Sequence, residues 1–190
     1  RFSLFQNHLQ KIVHLCIQKA NYLGYQNHPY DALLDVYEPG LTIAMIEPLF
    51  ERLRAALTER IHRLEKSEVV LPPISGNFPQ EGQLQLSQKL LDMLGLKKEI
   101  ARLDLSSHPF CTGIAPFDTR LTTKVSESNP LPCLFGVLHE AGHGLYHSHL
   151  PAKFFGTALF QSASLAIDES QSRFWEVIIG HSKPFFDFLY

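Results

Sequence analysis

His139-Glu140-Ala141-Gly142-His143 places two imidazoles four positions apart, with a carboxylate directly after the first. On an α-helix, positions i and i+4 lie about 40° apart in azimuth and about 6 Å apart along the axis, so both rings can converge on one ion. Zinc takes nitrogen ligands at about 2.0–2.1 Å. Glu140, next to the first ligand, can take a proton from a water that attacks a carbonyl. That is the chemistry of metal-assisted peptide hydrolysis. The competing reading is two solvated histidines on a surface helix, since a chain with 10 histidines can form HExxH by chance. The apolar residues around the motif argue against it.

A third ligand distinguishes these readings, and three residues are candidates. His147 lies two turns beyond His139 on the same helix, about 12 Å along the axis, too far to share its ion. His149 has the metzincin spacing after His143, but that geometry needs a glycine to turn the chain, and Tyr146 stands there. Glu169 falls in the next helical stretch, Ser164 to Ile179. A carboxylate from a second helix gives the His₂Glu type of catalytic zinc site. Glu169 is the favoured candidate; the bland alternative is an ordinary surface glutamate.

The elements that must position these residues are readable from periodicity and punctuation. Asn129 suits an N-cap and Pro130 a first helical position. Leu134, Val137, Leu138, Ala141 and Leu145 then recur at helical spacing, and Pro151 bounds the far end. Leu138, Leu145, Leu165 and Phe174 are expected to pack this helix against that of Glu169. Upstream, the chain from Phe2 to Ala20 is an amphipathic helix ending near Gly24, and Tyr30 to Asp35 is a short helical turn. Thr42 can cap a long helix in which Pro48 predicts a kink or a later start. A loop from Leu71 to Pro79 precedes a helix over Gln80 to Leu94, with Gly95 past its end. Ala101 to Leu105, Thr112 to Ala115 and Thr119 to Val125 read as short strands.

Length and a 45% hydrophobic composition fit one compact domain. A formal net charge of −2 gives no electrostatic case for nucleic acid or an anionic membrane. No apolar run approaches the roughly 20 residues of a membrane span. Cys16, Cys111 and Cys133 have no framework spacing, which suggests a reducing compartment, hence the cytoplasm. Both ends read as cut, so residues 1–190 are expected to be a partial catalytic domain of a longer protein.

Several stretches together resemble the carboxypeptidase Taq family of thermostable metallocarboxypeptidases. They are Tyr30-Asp31-Ala32-Leu33-Leu34-Asp35 with Glu38-Pro39-Gly40, Arg102-Leu103-Asp104, His108-Pro109-Phe110, Asp118-Thr119-Arg120-Leu121-Thr122-Thr123, the HExxH motif, Glu169-Ser170-Gln171-Ser172-Arg173, and Trp175-Glu176. The resemblance implies a mainly α, helical zinc-peptidase fold with a small antiparallel sheet beside the HExxH helix. It implies His139, His143 and Glu169 as metal ligands, Glu140 as general base, and His108, Asp118 and Arg120 as substrate-binding residues lining the cleft. It implies a homodimer when intact. Asp168 departs from the pattern, which usually has histidine just before the ligand glutamate; an anion there changes the surroundings of the metal. The groups that bind the substrate carboxylate and the oxyanion are expected outside these residues.

The expected function is a metallocarboxypeptidase holding one Zn²⁺ per chain, with Co²⁺ as another possible ion. It would release single residues from peptides with a free C-terminus. One rival is a truncated, non-catalytic helical module that binds metal or a partner. An endopeptidase of the same zinc type is another.

Overall fold

A computed structural model describes all 190 residues. The chain divides into two compact units, Arg1–Leu71 and Pro72–Tyr190. The division falls where Pro72 and Pro73 follow each other, in a stretch with neither helix nor strand.

The first unit holds three helices, α1 (Phe2–Leu23), α2 (Pro29–Leu34) and α3 (Ile43–Glu65). Gly24 ends α1 at φ 80°, a conformation that favours glycine. Asp31 on α2 accepts the Ile43 backbone N–H at 2.7 Å and so caps α3, a role expected of Thr42. Pro48 lies inside α3, which starts before it. Only Ala20 and Ala32 are buried here, and the apolar stripes of α1 and α3 are largely exposed.

The second unit carries the HExxH motif. It comprises α4 (Gln80–Met93), strands β1 (Ala101–Leu105), β2 (Phe110–Ala115) and β3 (Asp118–Thr123), α5 (Leu131–Ser148), α6 (Leu165–Arg173), a π-helical segment Phe174–Ile179, and α7 (Lys183–Leu189). No helix is long and apolar enough to cross a membrane.

The sheet, expected antiparallel throughout, is mixed, with order β1-β3-β2. β2 and β3 pair antiparallel across a two-residue connection at Pro116-Phe117, with Ala115 opposite Asp118. β1 pairs parallel with β3, Leu103 opposite Leu121. Parallel neighbours need a crossover, and β2, lying between them in sequence but at the edge in space, supplies it.

α5 is the centre of the unit because it is apolar on more than one side. Cys133, Val137 and Ala141 meet Leu121 of β3, Ala101 of β1 and Leu91 and Leu96 around the end of α4. Leu134 and Leu138 pack with Leu90 and Phe185 in a second cluster. Each buried Val, Leu or Phe side chain among them contributes about 1.5–3 kcal/mol relative to exposure. Asn129 Oδ1 accepts the Leu131 N–H at 3.1 Å and satisfies one orphan donor at the start of α5.

Contact between α5 and α6 does not follow the expected apolar packing. Leu138 is buried, but Leu165 and Phe174 are exposed. The helices instead meet backbone to backbone at Gly142, where an added Cβ would stand 2.5 Å from Ser172 Cα and 2.6 Å from the Gln171 carbonyl oxygen. Small residues shorten the distance between α5 and α6, so the short carboxylates of α6 reach the imidazoles of α5.

Candidate metal centre

His139 and His143 project from adjacent turns of α5 toward α6, which starts with Ser164 accepting the Ile167 N–H. The ring centroids of His139 and His143 are 5.1 Å apart. Glu169 Oε2 lies 3.7 Å from His139 Nε2 and 3.3 Å from His143 Nε2. Ligand atoms of the three residues all fall within 4.8 Å of one another. Three tetrahedral donors about 2 Å from a zinc ion stand roughly 3.3 Å apart. The two separations from Glu169 are close to that value, so the residues present fit one such ion.

The other nitrogen of each ring is taken up by a carboxylate. His139 Nδ1 donates to Glu176 Oε2 at 2.8 Å, and His143 Nδ1 donates to Asp168 Oδ1 at 2.7 Å. These partners assign the tautomers: Nδ1 carries the proton, and Nε2 presents its lone pair toward Glu169. A carboxylate behind a ligating histidine fixes the ring and raises its basicity. Each carboxylate has a further donor. Arg173 Nη1 reaches Glu176 Oε2 at 2.7 Å, and His147 Nε2 reaches Asp168 Oδ2 at 3.0 Å. Ser172 Oγ lies 2.7 Å from the Glu169 backbone carbonyl and 3.1 Å from its Oε2, and its one proton serves either.

Glu140 is buried. Burial raises its carboxyl above the ordinary range; charge on His139, His143 and His108 acts the other way, and the Glu169 carboxylate adds to the rise. A carboxyl moved toward neutrality is better matched to proton transfer. Cys111 is close enough to feel Glu140 and Asp168, but burial first, and those charges second, push its thiol up to about 12. A thiol so raised favours its protonated form at neutral pH and is a poor nucleophile there.

Beside Glu140 opens a cavity of about 430 Å³. His108, Asn129, His139, Glu140 and Glu176 supply its polar groups, and Pro109, Leu131, Pro132, Phe135 and Gly136 its apolar wall. Asp118 and Arg120 do not border it. They pair with each other on β3, through two contacts from the guanidinium to the carboxylate, which holds the Asp118 carboxyl below its usual range.

The remaining histidines near the motif take other roles. His149 follows the last turn of α5, its Nδ1 2.7 Å from the Leu145 carbonyl, and stands outside the three-ligand cluster, as does His147. Sequence reasoning assigned no role to Glu176, Arg173 or His147 and left the effect of Asp168 open. One signal for Glu176 was available: it is a lone charge in the apolar run Phe174-Trp175-Glu176-Val177-Ile178.

A profile of the carboxypeptidase Taq (M32) metallopeptidase family matches residues 1–190. Carboxypeptidase 1 of Bacillus subtilis is 38% identical over 97% of this chain and 37% of its own. Thermostable carboxypeptidase 1 of Pyrococcus furiosus is 38% identical over 100% of this chain and 39% of its own. The crystal structure of an M32 carboxypeptidase from Deinococcus radiodurans superposes with a TM-score of 0.86 at 34% identity, covering 95% of this chain and 37% of that one. The chain thus spans about two fifths of the length of these relatives. With a family profile matched from the first residue to the last and relatives at 38% identity across nearly all of its length, this chain belongs to the carboxypeptidase Taq (M32) metallopeptidase family.

Proposed function

We propose that this chain carries the metal centre and the general base of a zinc-dependent carboxypeptidase, which releases single residues from the free C-termini of peptides. The observation that carries the reading is the convergence of His139, His143 and Glu169 within 4.8 Å beside a buried Glu140 at the mouth of a cavity.

His139, His143 and Glu169 hold the ion, and Glu140, which is not a ligand, does the proton work. When bound, the ion supplies Lewis acidity, lowering the pKa of water and polarising a carbonyl. Two imidazoles and one carboxylate suit zinc, and Co²⁺ can take the same donors. Glu140 takes the proton of the attacking water and gives it to the leaving amine. Its burial supports this role, because a raised carboxyl pKa makes proton return easier. Glu176 and Asp168 keep both rings in the tautomer that presents Nε2.

His108 shares the cavity with Glu140 and is proposed to contact the peptide. Asp118 and Arg120, the other substrate-binding residues that the family resemblance implies, pair with each other on β3 outside that cavity and are proposed to contact the peptide beyond it. Three free cysteines support a reducing compartment, the cytoplasm, for the whole protein. The homodimer implied by the family resemblance belongs to the same reading.

The test uses the whole protein with one equivalent of zinc and a pair of N-blocked peptides, one with a free C-terminus and one amidated. Release of the terminal amino acid from the free peptide alone is expected, and chelation should abolish it. Equal cleavage of both peptides would indicate an endopeptidase; no cleavage of either by the zinc-loaded protein would overturn the reading.

A further inference from the structure

We propose that His147 is a positioning residue of the metal centre: it holds Asp168 from behind, so that Asp168 in turn fixes the ring of His143. This rests on the metal-centre reading above and deepens it.

Asp168 is buried, and each of its oxygens has its own imidazole. Oδ1 accepts from His143 Nδ1 at 2.7 Å and Oδ2 accepts from His147 Nε2 at 3.0 Å. The torsion that turns a carboxylate plane is broad and has no steep minima of its own. With one partner, Asp168 could pivot and carry the His143 ring with it. With a second donor one helical turn along α5, the plane is set by two points on one rigid element.

His147 is itself seated by the fold. β2 passes over it at Gly113, where an added Cβ would lie 3.0 Å from His147 Cβ and 3.3 Å from its Cγ and Nδ1. A register irregularity of the β2–β3 pair falls between Gly113 and Ala115, at the same place. The ring Nδ1 is buried and makes no hydrogen bond, so Nε2 is the polar contact that the ring contributes. An imidazole with one nitrogen left unpaired is a poor space filler, since such a group carries its full desolvation penalty. The bond to Asp168 offsets part of that penalty.

The experiment measures zinc affinity of the full chain by competition with a chromophoric chelator, and the visible spectrum of the Co²⁺-substituted protein. His147→Phe keeps a ring under Gly113 and removes the donor; His147→Gln keeps an N–H donor. His147→Phe is expected to weaken zinc binding by about 10-fold, at the lower end of effects around ligating histidines, and to alter the Co²⁺ spectrum. His147→Gln should stay within about 3-fold of the unmutated chain on the same scale. In an Asp168→Asn background His147→Phe should add nothing, because the two act in series. Should His147→Phe fail to fold, Gly113→Ala displaces His147 without removing a polar group and should weaken zinc binding in the same direction.

Zinc affinity and a Co²⁺ spectrum unchanged by His147→Phe, with only a lower melting temperature of the metal-free chain, would reduce His147 to a packing role and overturn the inference alone. Additive losses in the double variant would also overturn it. No zinc binding by the unmutated chain would overturn the metal-centre reading, and this inference with it.

Discussion

His139 and His143 sit one turn apart on the same helix, yet they are held in different ways. Behind His139 stands Glu176 on the π-helical segment, and behind Glu176 stands Arg173 from the turn just before it. That bracket is local, and the Arg173 side chain is 55% exposed. Behind His143 stands Asp168, with a side chain 12% exposed, and behind Asp168 stands His147, back on α5. The second arm leaves α5, crosses to α6 and returns, so it ties the two helices together as well as orienting a ring. An exposed pair is screened by water and salt, whereas a largely buried one is screened much less. The comparison teaches that equivalent ligands can rest on supports of unequal rigidity, and that the burial of the outermost donor is where they differ.

Glu140 belongs to neither arm and offers the sharpest separation. Glu140→Gln in the whole protein should leave zinc content unchanged and lower kcat by about 10²–10⁴-fold, the range for a general base. Near-normal turnover would remove Glu140 from the mechanism.

Both arms depend on the close approach at Gly142. Gly142→Ala should push α6 away from α5, costing about 1–3 kcal/mol of stability as overpacking does, and zinc affinity should fall with it. Gly136→Ala is the control, because its Cβ would meet Pro109 Cγ at an ordinary 3.5 Å. Thermal melts of the metal-free proteins check this, and equal stability of the two variants would break the account of helix contact.

Between the arms, Asp168→Asn and Glu176→Gln should each weaken zinc by about 10–100-fold, the scale for groups behind a ligating histidine. Asp168→Asn is expected at the upper end, because it also leaves the His147 donor facing an amide. A larger loss for Glu176→Gln, read by chelator competition, would reverse the ranking of the arms.

The smallest effect is expected at Arg173. Its exposed pair with Glu176 should be worth no more than about 1 kcal/mol, so Arg173→Gln should change zinc affinity by at most about 5-fold on that scale, and less at high salt. A larger, salt-independent loss would show that the first arm is as rigid as the second.

Local chemistry made the metal-binding helix legible from sequence alone. Apolar periodicity and the i, i+4 spacing of His139 and His143 depend only on helix geometry, although the N-cap is Pro130, one residue after the expected Asn129, whose side chain still accepts the Leu131 N–H. The same reasoning located β1, β2 and β3 within a residue or two, because Thr, Ile and Leu between turn residues carry a local signal. Which strands pair was not local: parallel pairing of β1 with β3 requires β2 at the edge, and no short stretch encodes that. Glu169 was reached by excluding His147 and His149 and by resemblance, not by spacing. Glu176, Asp168 and His147 acquired their roles only in three dimensions. Which carboxylate faces which ring depends on how closely α6 crosses α5 at Gly142. It depends also on a π-helical segment, whose i→i+5 bond from Gly180 N–H to the Trp175 carbonyl widens the turn and sets the register of Glu176. A hydrogen-bond partner on a second helix is fixed by the crossing of two rigid rods, a property of the pair that neither helix carries in its own sequence.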